Sequence, residues 1–254
     1  MTLSASAPAG GIDVQLHPSR VEMGQAAASV VAAKLRRLLQ DGGSARMIFA
    51  AAPSQAEMLD ALVAEPDIDW GRVTAFHMDE YIGLAPDAPA RFGLWLRRHL
   101  FDRLPFGAVH LIDPGEDPAA AAAAYAQALA QASIDIVCLG IGVNGHLAFN
   151  DPPVADLSDP LDVKVVELDA VCRRQQVDDG CFSRLADVPT HAITLTVPRL
   201  LRADRLVCVV PGAAKREAVR RALHDPIGTA CPATALRRHP AVTLFLDPES
   251  NPHG

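Results

Sequence analysis

A histidine, an amide and a carboxylate lie close together around a glycine-rich turn in this sequence. The segment LGIGVNGHLAFNDPP places Asn144, His146 and Asp151 directly after an apolar run that is typical of a buried strand. A histidine beside a carboxylate that can orient its imidazole suits general acid and base catalysis. A histidine without such neighbours would be interpreted as a structural residue whose hydrogen bonds are satisfied. Gly142 and Gly145 would let the backbone approach a ligand closely.

The glycines of the same turn also fall at G-x-G-x-x-G, the spacing of a dinucleotide-binding loop. In such a fold a helix follows the third glycine, and an acidic residue about 20 positions later binds the ribose. Glu167 lies at a suitable distance after Gly145. However, residues 146–163 contain three prolines and leave no room for the crossover helix of about 10 residues that parallel strands need. The turn is therefore predicted not to bind NAD.

A second group of polar residues ends another apolar run, in FHMDEY at residues 76–81. The two-residue period of a strand puts His77 and Asp79 on one face and Glu80 on the other. Two acidic residues at this position are costly unless they are solvated, cap a helix or take part in chemistry. A site and a plain strand exit therefore both fit. His77 and Asp79 could contribute to a metal site, but the sequence offers no recognisable third ligand, so no metal is expected.

The elements that must position these residues alternate between helices and strands. Ser19 and Glu22 form a capping box before a helical pattern that ends at Gly42 and Gly43. Apolar runs bounded by turn residues predict strands at 46–52, 72–80, 134–142, 163–168, 192–197, 205–212 and 242–247. Helical stretches between them include 54–65, 118–132 and 213–225. This alternation predicts an α/β fold with a mostly parallel, Rossmann-like sheet flanked by helices.

Length and composition set the domain organisation and exclude one class of partner. A chain of 254 residues that is 50% hydrophobic and 21% charged can bury a large core within one domain. We expect residues 1–18 to form a partly flexible N-terminal extension and residues 19–254 to form a single α/β domain. The net charge of -7, without a basic block, argues against a nucleic-acid partner.

Cysteine usage and hydropathy bear on the compartment. The chain has 5 cysteines, no C-x-x-C pair and an odd total, which is unlike a closed disulfide framework. The first residues, MTLSASAPAGG, lack the basic and apolar regions of a secretory signal, and no later segment has the ~18 uninterrupted apolar residues of a membrane span. These observations predict a soluble, cytoplasmic protein without a membrane partner.

Three motifs together resemble one family of enzymes. FHMDEYIGL at 76–84, LGIGVNGHLAFNDPP at 139–153 and VVPGAAK at 209–215 look like the glucosamine-6-phosphate deaminase (isomerase) family, which shares its fold with 6-phosphogluconolactonases. The resemblance extends from about residue 47 to residue 247. The letters DEY, and GHLAFN in place of a lactonase-like GHTASLF, place the chain nearer to the deaminases.

The resemblance implies roles for four residues. Asp79 matches the carboxylate that moves a proton between C2 and C1 of the open-chain sugar. His146 matches the histidine that opens the sugar ring, and Asp151 stands where the family usually has a glutamate that orients this histidine, so its reach is one methylene shorter. Asn144 occupies a position that is aspartate in some members, and an amide can position a neighbour but cannot take its proton.

The same resemblance predicts the substrate-binding residues, and here the chain departs from the family pattern. The residues expected to contact substrate are Ser54, Gln55, Glu80, Gly142, Gly145, Arg173, Gln176 and Lys215. The family's glycine-containing phosphate loop reads AAAPSQ, and alanine would be strained wherever that loop needs a positive φ. Gln176 aligns with an expected arginine, for which Arg173 is a candidate substitute, whereas Lys215 matches the family's phosphate-contacting lysine.

The activity implied is conversion of glucosamine 6-phosphate to fructose 6-phosphate with release of ammonia, an isomerisation joined to a hydrolytic step that needs no cofactor. A 6-phosphogluconolactonase or another sugar-phosphate isomerase is an alternative on the same fold. A non-catalytic sugar-phosphate sensor is an alternative of a different class. The number of subunits is left open, with a homo-oligomer among the options.

Overall fold

A parallel sheet of seven strands forms the centre of the computed structural model, which describes residues 11–253. In spatial order its strands are β1 (Ile12–Leu16), β10 (Val242–Leu246), β9 (Arg205–Val210), β6 (Ile136–Leu139), β2 (Ala45–Phe49), β3 (Val73–His77) and β5 (Ala108–His110). All six neighbouring pairs run parallel. The predicted α/β fold with a mostly parallel sheet is therefore confirmed.

The central strands are buried on both faces, which explains their nearly continuous apolar sequence. Every residue of β6 and β10 is buried, and the same is true of β9 after its first residue. The helices are α1 (Arg20–Leu38), α2 (Ala56–Val63), α3 (Phe92–Leu96), α4 (Pro118–Ala130), α5 (Ala170–Asp178), α6 (Val197–Leu200) and α7 (Arg216–His224).

The capping signal at the start of α1 works in the way the sequence predicts. Ser19 Oγ accepts a hydrogen bond from the backbone N–H of Glu22 at 3.2 Å, which satisfies one of the free donors of the first turn. The Ser19 hydroxyl in turn donates to the Glu22 carboxylate at 2.9 Å. The buried side of α1, which includes Val31 and Leu35, packs against α2 and the main sheet.

The apolar run at 72–80 is not one strand, and this changes where its acidic residues lie. The parallel strand β3 ends at His77, and a separate strand, β4 (Asp79–Tyr81), begins after Met78. With β7 (Val163–Glu167) and β8 (His191–Leu195), β4 forms a small antiparallel sheet in the order β4-β8-β7. The sequence showed three apolar runs but not that they leave the main sheet, because strand periodicity carries no information about the partner strand.

Two strands at the edges of the main sheet were not predicted. β1 pairs with β10, although residues 12–16 fell within the expected N-terminal extension; its alternation of polar and apolar residues, with Asp13 and Gln15, hides it from a search for apolar runs. β5 has only three residues. The part of the expected extension at residues 1–10 lies outside the described residues.

The chain order of the strands defines where a ligand can enter. From β2 the chain continues outward to β3 and β5, and then returns to β6 on the other side of β2, from which it continues towards β9 and β10. Open α/β sheets bind ligands at the carboxyl ends of the strands where the winding direction reverses, here between β2 and β6. Among the described residues, no helix combines the length and apolar character needed to cross a membrane.

Candidate active site

A pocket opens at this edge of the sheet, and segments that follow four parallel strands form it. Residues 50–55 follow β2, Met78 and Asp79 follow β3, residues 140–149 follow β6, and Lys215 lies beyond the end of β9. Residues of α5 and the turn after it complete the wall. The pocket therefore brings together residues that are far apart in sequence, including both sequence motifs that carry candidate catalytic groups.

The imidazole of His146 is held by two acceptors behind the pocket wall. Its Nδ1 lies 2.8 Å from Asn144 Oδ1 and 2.9 Å from Asp151 Oδ1. Both of these atoms accept hydrogen bonds, because Asn144 Nδ2 is itself a donor to Asp151 at 2.8 Å. The proton therefore resides on Nδ1, which leaves Nε2 unprotonated on the neutral ring. His146 lines the pocket, so this nitrogen is the basic atom that the ring can offer to a ligand.

Asp151 is fully buried yet suited to remain ionised. Burial alone would favour the neutral acid, but hydrogen bonds from His146, Asn144 and Cys172 lower the pKa of Asp151 below its ordinary value. The aspartate thus reaches the histidine despite the missing methylene. His146, Asp151 and Cys172 have potential metal-ligating atoms within 4.8 Å of one another. Burial, and next to it the charge of Asp151, raise the pKa of the Cys172 thiol well above its usual range, so a protonated thiol lies beside the Asp151 carboxylate.

The two glycines of the turn do different work. A Cβ atom on Gly142 would lie 2.1 Å from both Cε1 and Nε2 of His146, so the imidazole rests directly against the glycine backbone. Gly142 lines the pocket, as predicted for a residue near substrate. Gly145 does not; its φ of 86° and a Cβ position 2.4 Å from Cys231 Sγ show that it shapes the turn and packs inward.

Asp79 presents a buried carboxylate to the pocket. Only 6% of this residue is exposed, and it lines the pocket wall at the start of β4. Burial, together with the neighbouring charge of Glu80, raises the pKa of Asp79 well above its usual range. A carboxylate of raised pKa is a stronger base once it is ionised, which is the property that proton abstraction from carbon requires.

The structure turns Glu80 away from the pocket, which corrects its prediction as a substrate contact. Its carboxylate accepts hydrogen bonds at 3.0 Å from the backbone N–H groups of Tyr81, Phe92 and Gly93. Phe92 and Gly93 begin α3, so Glu80 caps this helix from a distance. Capping was one of the three outcomes that the sequence left open for an acidic residue at this strand end.

His77 is likewise a structural residue. Its Nε2 accepts a hydrogen bond from the backbone N–H of Ile112 at 2.7 Å, and the side chain is fully buried. Burial and the charge of Arg91 lower the pKa of His77 to about 3, so the ring stays neutral. Asp79 lines the pocket and His77 does not.

The pocket wall also contains the altered phosphate loop and Lys215. Ser54, Gln55 and Lys215 all line it, as predicted. Gln55 Nε2 donates to the Val209 carbonyl at 3.1 Å, so this side chain also ties the loop to β9. The expected strain is absent: of the described residues with positive φ other than glycine, none belongs to the AAAPSQ loop. The loop has a backbone conformation that alanine adopts readily, and it lacks the positive φ angles of a glycine-containing phosphate loop.

Gln176, which aligns with the expected arginine, lines the pocket, whereas its candidate substitute Arg173 does not. Gln176 Oε1 accepts a hydrogen bond from the Tyr81 hydroxyl at 2.8 Å, which leaves its Nε2 as the donor available to a ligand. Arg173 is on the same helix but donates to the carbonyls of Leu185 and Val188 at 2.9 and 2.8 Å. The idea that Arg173 substitutes at the phosphate is therefore wrong in this structure, because its guanidinium holds the loop after α5.

Several pocket residues were not foreseen. Gln175, Asp179 and Cys181 lie on α5 and the turn after it, and Ala148 lies in the histidine motif with a φ of 51°. A non-glycine residue with positive φ is strained and is often found at functional sites. The α5 segment, AVCRRQQVD, has no clear apolar stripe that would show which of its faces is buried. The sequence therefore does not indicate that this helix lies beside the pocket.

The fold and site together define a class of protein: an α/β protein whose pocket holds a buried carboxylate and an oriented histidine, two groups suited to proton transfer. Comparisons with known proteins identify the family. Residues 18–245 match a family model described as glucosamine-6-phosphate isomerases/6-phosphogluconolactonase. The chain belongs to this family, as the motifs of the sequence indicated.

Glucosamine-6-phosphate deaminases are among the proteins to which this chain is similar. A glucosamine-6-phosphate deaminase of Exiguobacterium sp. (strain ATCC BAA-1283 / AT1b) is 38% identical over 181 residues, which cover 71% of this chain and 69% of the relative. Another, of Listeria monocytogenes serotype 4a, is 34% identical over 210 residues, with 82% of this chain and 87% of the relative covered.

Solved structures show the same fold. A monomeric glucosamine-6-phosphate deaminase superposes with a TM-score of 0.86 at 25% identity and covers 93% of this chain and 98% of its own. A 6-phosphogluconolactonase from Thermotoga maritima has a TM-score of 0.75 at 18% identity, with 93% and 99% covered. The second likeness bears on the fold alone.

Proposed function

We propose that this protein is a glucosamine-6-phosphate deaminase, which converts glucosamine 6-phosphate and water to fructose 6-phosphate and ammonia. The observation that carries the proposal is that Asp79 and His146 open onto one pocket from different strand ends. Deaminating isomerisation needs two separate proton transfers, one at the ring oxygen and one at carbon. The pocket offers one group suited to each.

Ring opening is the role we assign to His146. Its unprotonated Nε2 accepts the proton of the O1 hydroxyl, and the resulting imidazolium donates a proton to O5 as the C1–O5 bond breaks. Asp151 stabilises the imidazolium that forms between these two steps, because its carboxylate lies 2.9 Å from Nδ1. The aldehyde form of the sugar is then available for chemistry at C2.

Proton transfer at carbon is the role we assign to Asp79. Its ionised carboxylate removes the proton from C2 while O1 gains a proton from the ammonium group on C2, which gives an enolamine. The same carboxyl group, whose proton exchanges with solvent, then donates a proton to C1. The product is an imine at C2, which water hydrolyses to a ketone with loss of ammonia. This last step is the only hydrolytic step of the proposed reaction.

Substrate orientation would come from further residues of the pocket wall. Lys215 Nζ and the Ser54 hydroxyl supply donors for the group carried on C6. Residues that line the pocket include one lysine and no arginine in the described part of the chain, so we expect phosphate to be bound less tightly than by a pocket with both.

Product analysis tests the proposal. Purified protein is incubated with glucosamine 6-phosphate, and ammonia and fructose 6-phosphate are each measured by coupled enzyme assays; we expect equal amounts of the two. Asp79→Asn and His146→Gln should each reduce turnover by about 10²-fold to 10⁴-fold. Matched controls are Asp178→Asn and His191→Gln, which change exposed residues outside the pocket.

The outcomes distinguish the alternatives. Ketose formation without ammonia would indicate an isomerase for another sugar phosphate, and opening of 6-phosphogluconolactone in place of deamination would indicate a lactonase. Tight binding of the sugar without turnover would indicate a sensor. Each of these results would overturn the proposed deaminase activity.

A cytoplasmic location is a further part of the proposal. All 5 cysteines are unpaired in the structure, and three of them, Cys138, Cys172 and Cys208, are fully buried. Such usage favours a reducing compartment, in which disulfides rarely form.

A further inference from the structure

The end of the pocket that holds Lys215 also contains a second carboxylate. Asp179 follows directly after α5 and lines the pocket together with Lys215, Gln175 and Gln176. Neither the sequence motifs nor the resemblance assigns this aspartate a role. Its position places a negative charge where the C6 substituent of a hexosamine would lie in the proposed binding mode.

Asp179 is held in place by hydrogen bonds that connect it to the histidine loop. Gln175 Nε2 donates to Asp179 Oδ2 at 3.1 Å, and Gln175 Oε1 accepts from the backbone N–H of Val143 at 2.9 Å. The backbone N–H of Asp179 also donates to the Gln175 carbonyl at 2.8 Å. The carboxylate is therefore positioned before substrate arrives, although the residue is exposed to solvent.

Helix stability does not explain an aspartate at this position. The carboxyl end of a helix carries a partial negative charge, so an acidic residue there is unfavourable. Asp178 and Asp179 both lie at this end of α5, yet only Asp179 lines the pocket. The negative charge of Asp179 acts on Lys215: burial lowers the pKa of the Lys215 ammonium group, and the charge of Asp179 opposes that shift.

The charges on the pocket wall consequently fit a phosphate poorly. Asp79 and Asp179 are acidic, and Lys215 is the one lysine or arginine among the described residues that line the pocket, while Nδ1 of His146 already faces Asn144 and Asp151. A phosphate dianion at Lys215 would also lie near the Asp179 carboxylate, and like charges in a partly desolvated pocket repel. An uncharged C6 hydroxyl would experience no such repulsion and could donate a hydrogen bond to the carboxylate.

We propose that Asp179 is a specificity-determining residue that reduces the preference of the pocket for phosphorylated over unphosphorylated hexosamine. The inference rests on the proposed function and refines its substrate class: the pocket accepts a hexosamine whose C6 group carries little negative charge as well as its 6-phosphate. Lys215 and Asp179 act in opposition at that position, one attracting the phosphate and the other weakening its binding.

The test compares kcat/KM for glucosamine 6-phosphate and for glucosamine in the parent, Asp179→Asn and Asp178→Asn. Asparagine keeps the shape of the side chain and an oxygen that can accept from Gln175, so only the charge changes. We expect Asp179→Asn to increase the ratio of the two kcat/KM values about three- to tenfold, chiefly through a lower KM for the phosphorylated sugar, since the exposed carboxylate is partly screened. Asp178→Asn makes the same change in net charge outside the pocket and should leave the ratio unchanged.

A binding measurement separates this inference from the proposed reaction. Inorganic phosphate and glucosamine 6-phosphate are titrated calorimetrically into each protein, and Asp179→Asn should bind both about three- to tenfold more tightly than the parent. If no variant releases ammonia but this shift is seen, the proposed function fails and the inference stands. An unchanged or weaker affinity in Asp179→Asn, or an equal gain in Asp178→Asn, would overturn the inference.

Discussion

The contact between Gly142 and His146 leads to the sharpest mutational prediction. Gly142→Ala adds one methyl group, and its Cβ would lie 2.1 Å from the Nε2 and Cε1 atoms of the imidazole. Ordinary van der Waals contact begins at 3.4 Å, so the ring must move by roughly 1 Å or more, because packed interiors do not yield at such distances. The backbone at Gly142 is anchored by a hydrogen bond to the His146 carbonyl at 3.0 Å and cannot easily move away instead.

The expected loss follows from this displacement. A misplacement of about 1 Å in a catalytic group costs on the order of 10²-fold in rate, which corresponds to ~2.7 kcal/mol in the activation free energy. The cost in folding stability should be about 1 to 3 kcal/mol, as for other overpacked sites. Activity should therefore fall much further than the fraction of folded protein, and far-ultraviolet circular dichroism of the variant should match that of the parent at 25 °C.

The assay measures kcat for ammonia release in the parent, Gly142→Ala, His146→Ala and the double variant. If the glycine acts through the imidazole, Gly142→Ala should cost little once the ring has been removed, because the group that it displaces is gone. Gly228→Ala is a suitable control, since its Cβ would meet nothing closer than 4.0 Å. Parental kcat in Gly142→Ala, or a full additional loss in the His146→Ala background, would refute the reasoning.

Other predictions follow from groups around the site. Asp79→Asn should raise Tm at neutral pH, because burial raises the pKa of Asp79 and its ionised form therefore destabilises the fold. The gain in Tm should grow as pH rises above the ordinary carboxyl pKa of 3.8 and vanish below it. A Tm that does not change with the substitution would contradict this prediction. For the same reason kcat/KM of the parent should fall on acidification with a midpoint above 3.8, and a midpoint at or below that value would show that another group titrates. Cys172→Val removes the thiol beside Asp151 that helps to lower the pKa of this carboxyl group, and it should lower kcat about fivefold with a shifted pH profile. Cys172→Ser should retain the parental profile, and equal behaviour of the two variants would exclude a positioning role for Cys172. Lys215→Met should raise KM for glucosamine 6-phosphate about ten- to a hundredfold and leave KM for unphosphorylated glucosamine unchanged. A similar change in KM for both sugars would show that Lys215 does not bind the phosphate.

Local patterns predicted much of the fold. The capping box at Ser19, the apolar runs of the doubly buried strands and the helices between them all form where the sequence places them, to within a few residues. These features depend on neighbours in sequence, which is why they can be predicted from it. The prediction that no crossover helix follows the glycine turn rests on local signals too, since prolines disfavour a helix there, and the chain has no helix between β6 and β7.

What the sequence could not supply depends on contacts between distant segments. Nothing local shows that β4 leaves the main sheet, that the Glu80 carboxylate turns to the start of α3, or that Arg173 holds a loop while Gln176 faces the pocket. Asp179 was missed because its importance lies in its proximity to Lys215, which is on another element. Edge strands as short or as polar as β5 and β1 are equally inconspicuous, since their formation depends on the sheet that they join.

Hydrogen exchange between substrate and solvent tests the central claim most directly, because it reports the proton transfer itself. Glucosamine 6-phosphate is converted in deuterium oxide by the parent, Asp79→Asn and His146→Gln, and the products are analysed by NMR for deuterium at C1. The account predicts solvent deuterium at C1 with the parent, loss of both turnover and incorporation with Asp79→Asn, and a rate for His146→Gln that recovers on a ring-opened analogue. Incorporation at the parental rate by Asp79→Asn would contradict the assignment of Asp79 as the base and, with it, the proposed mechanism.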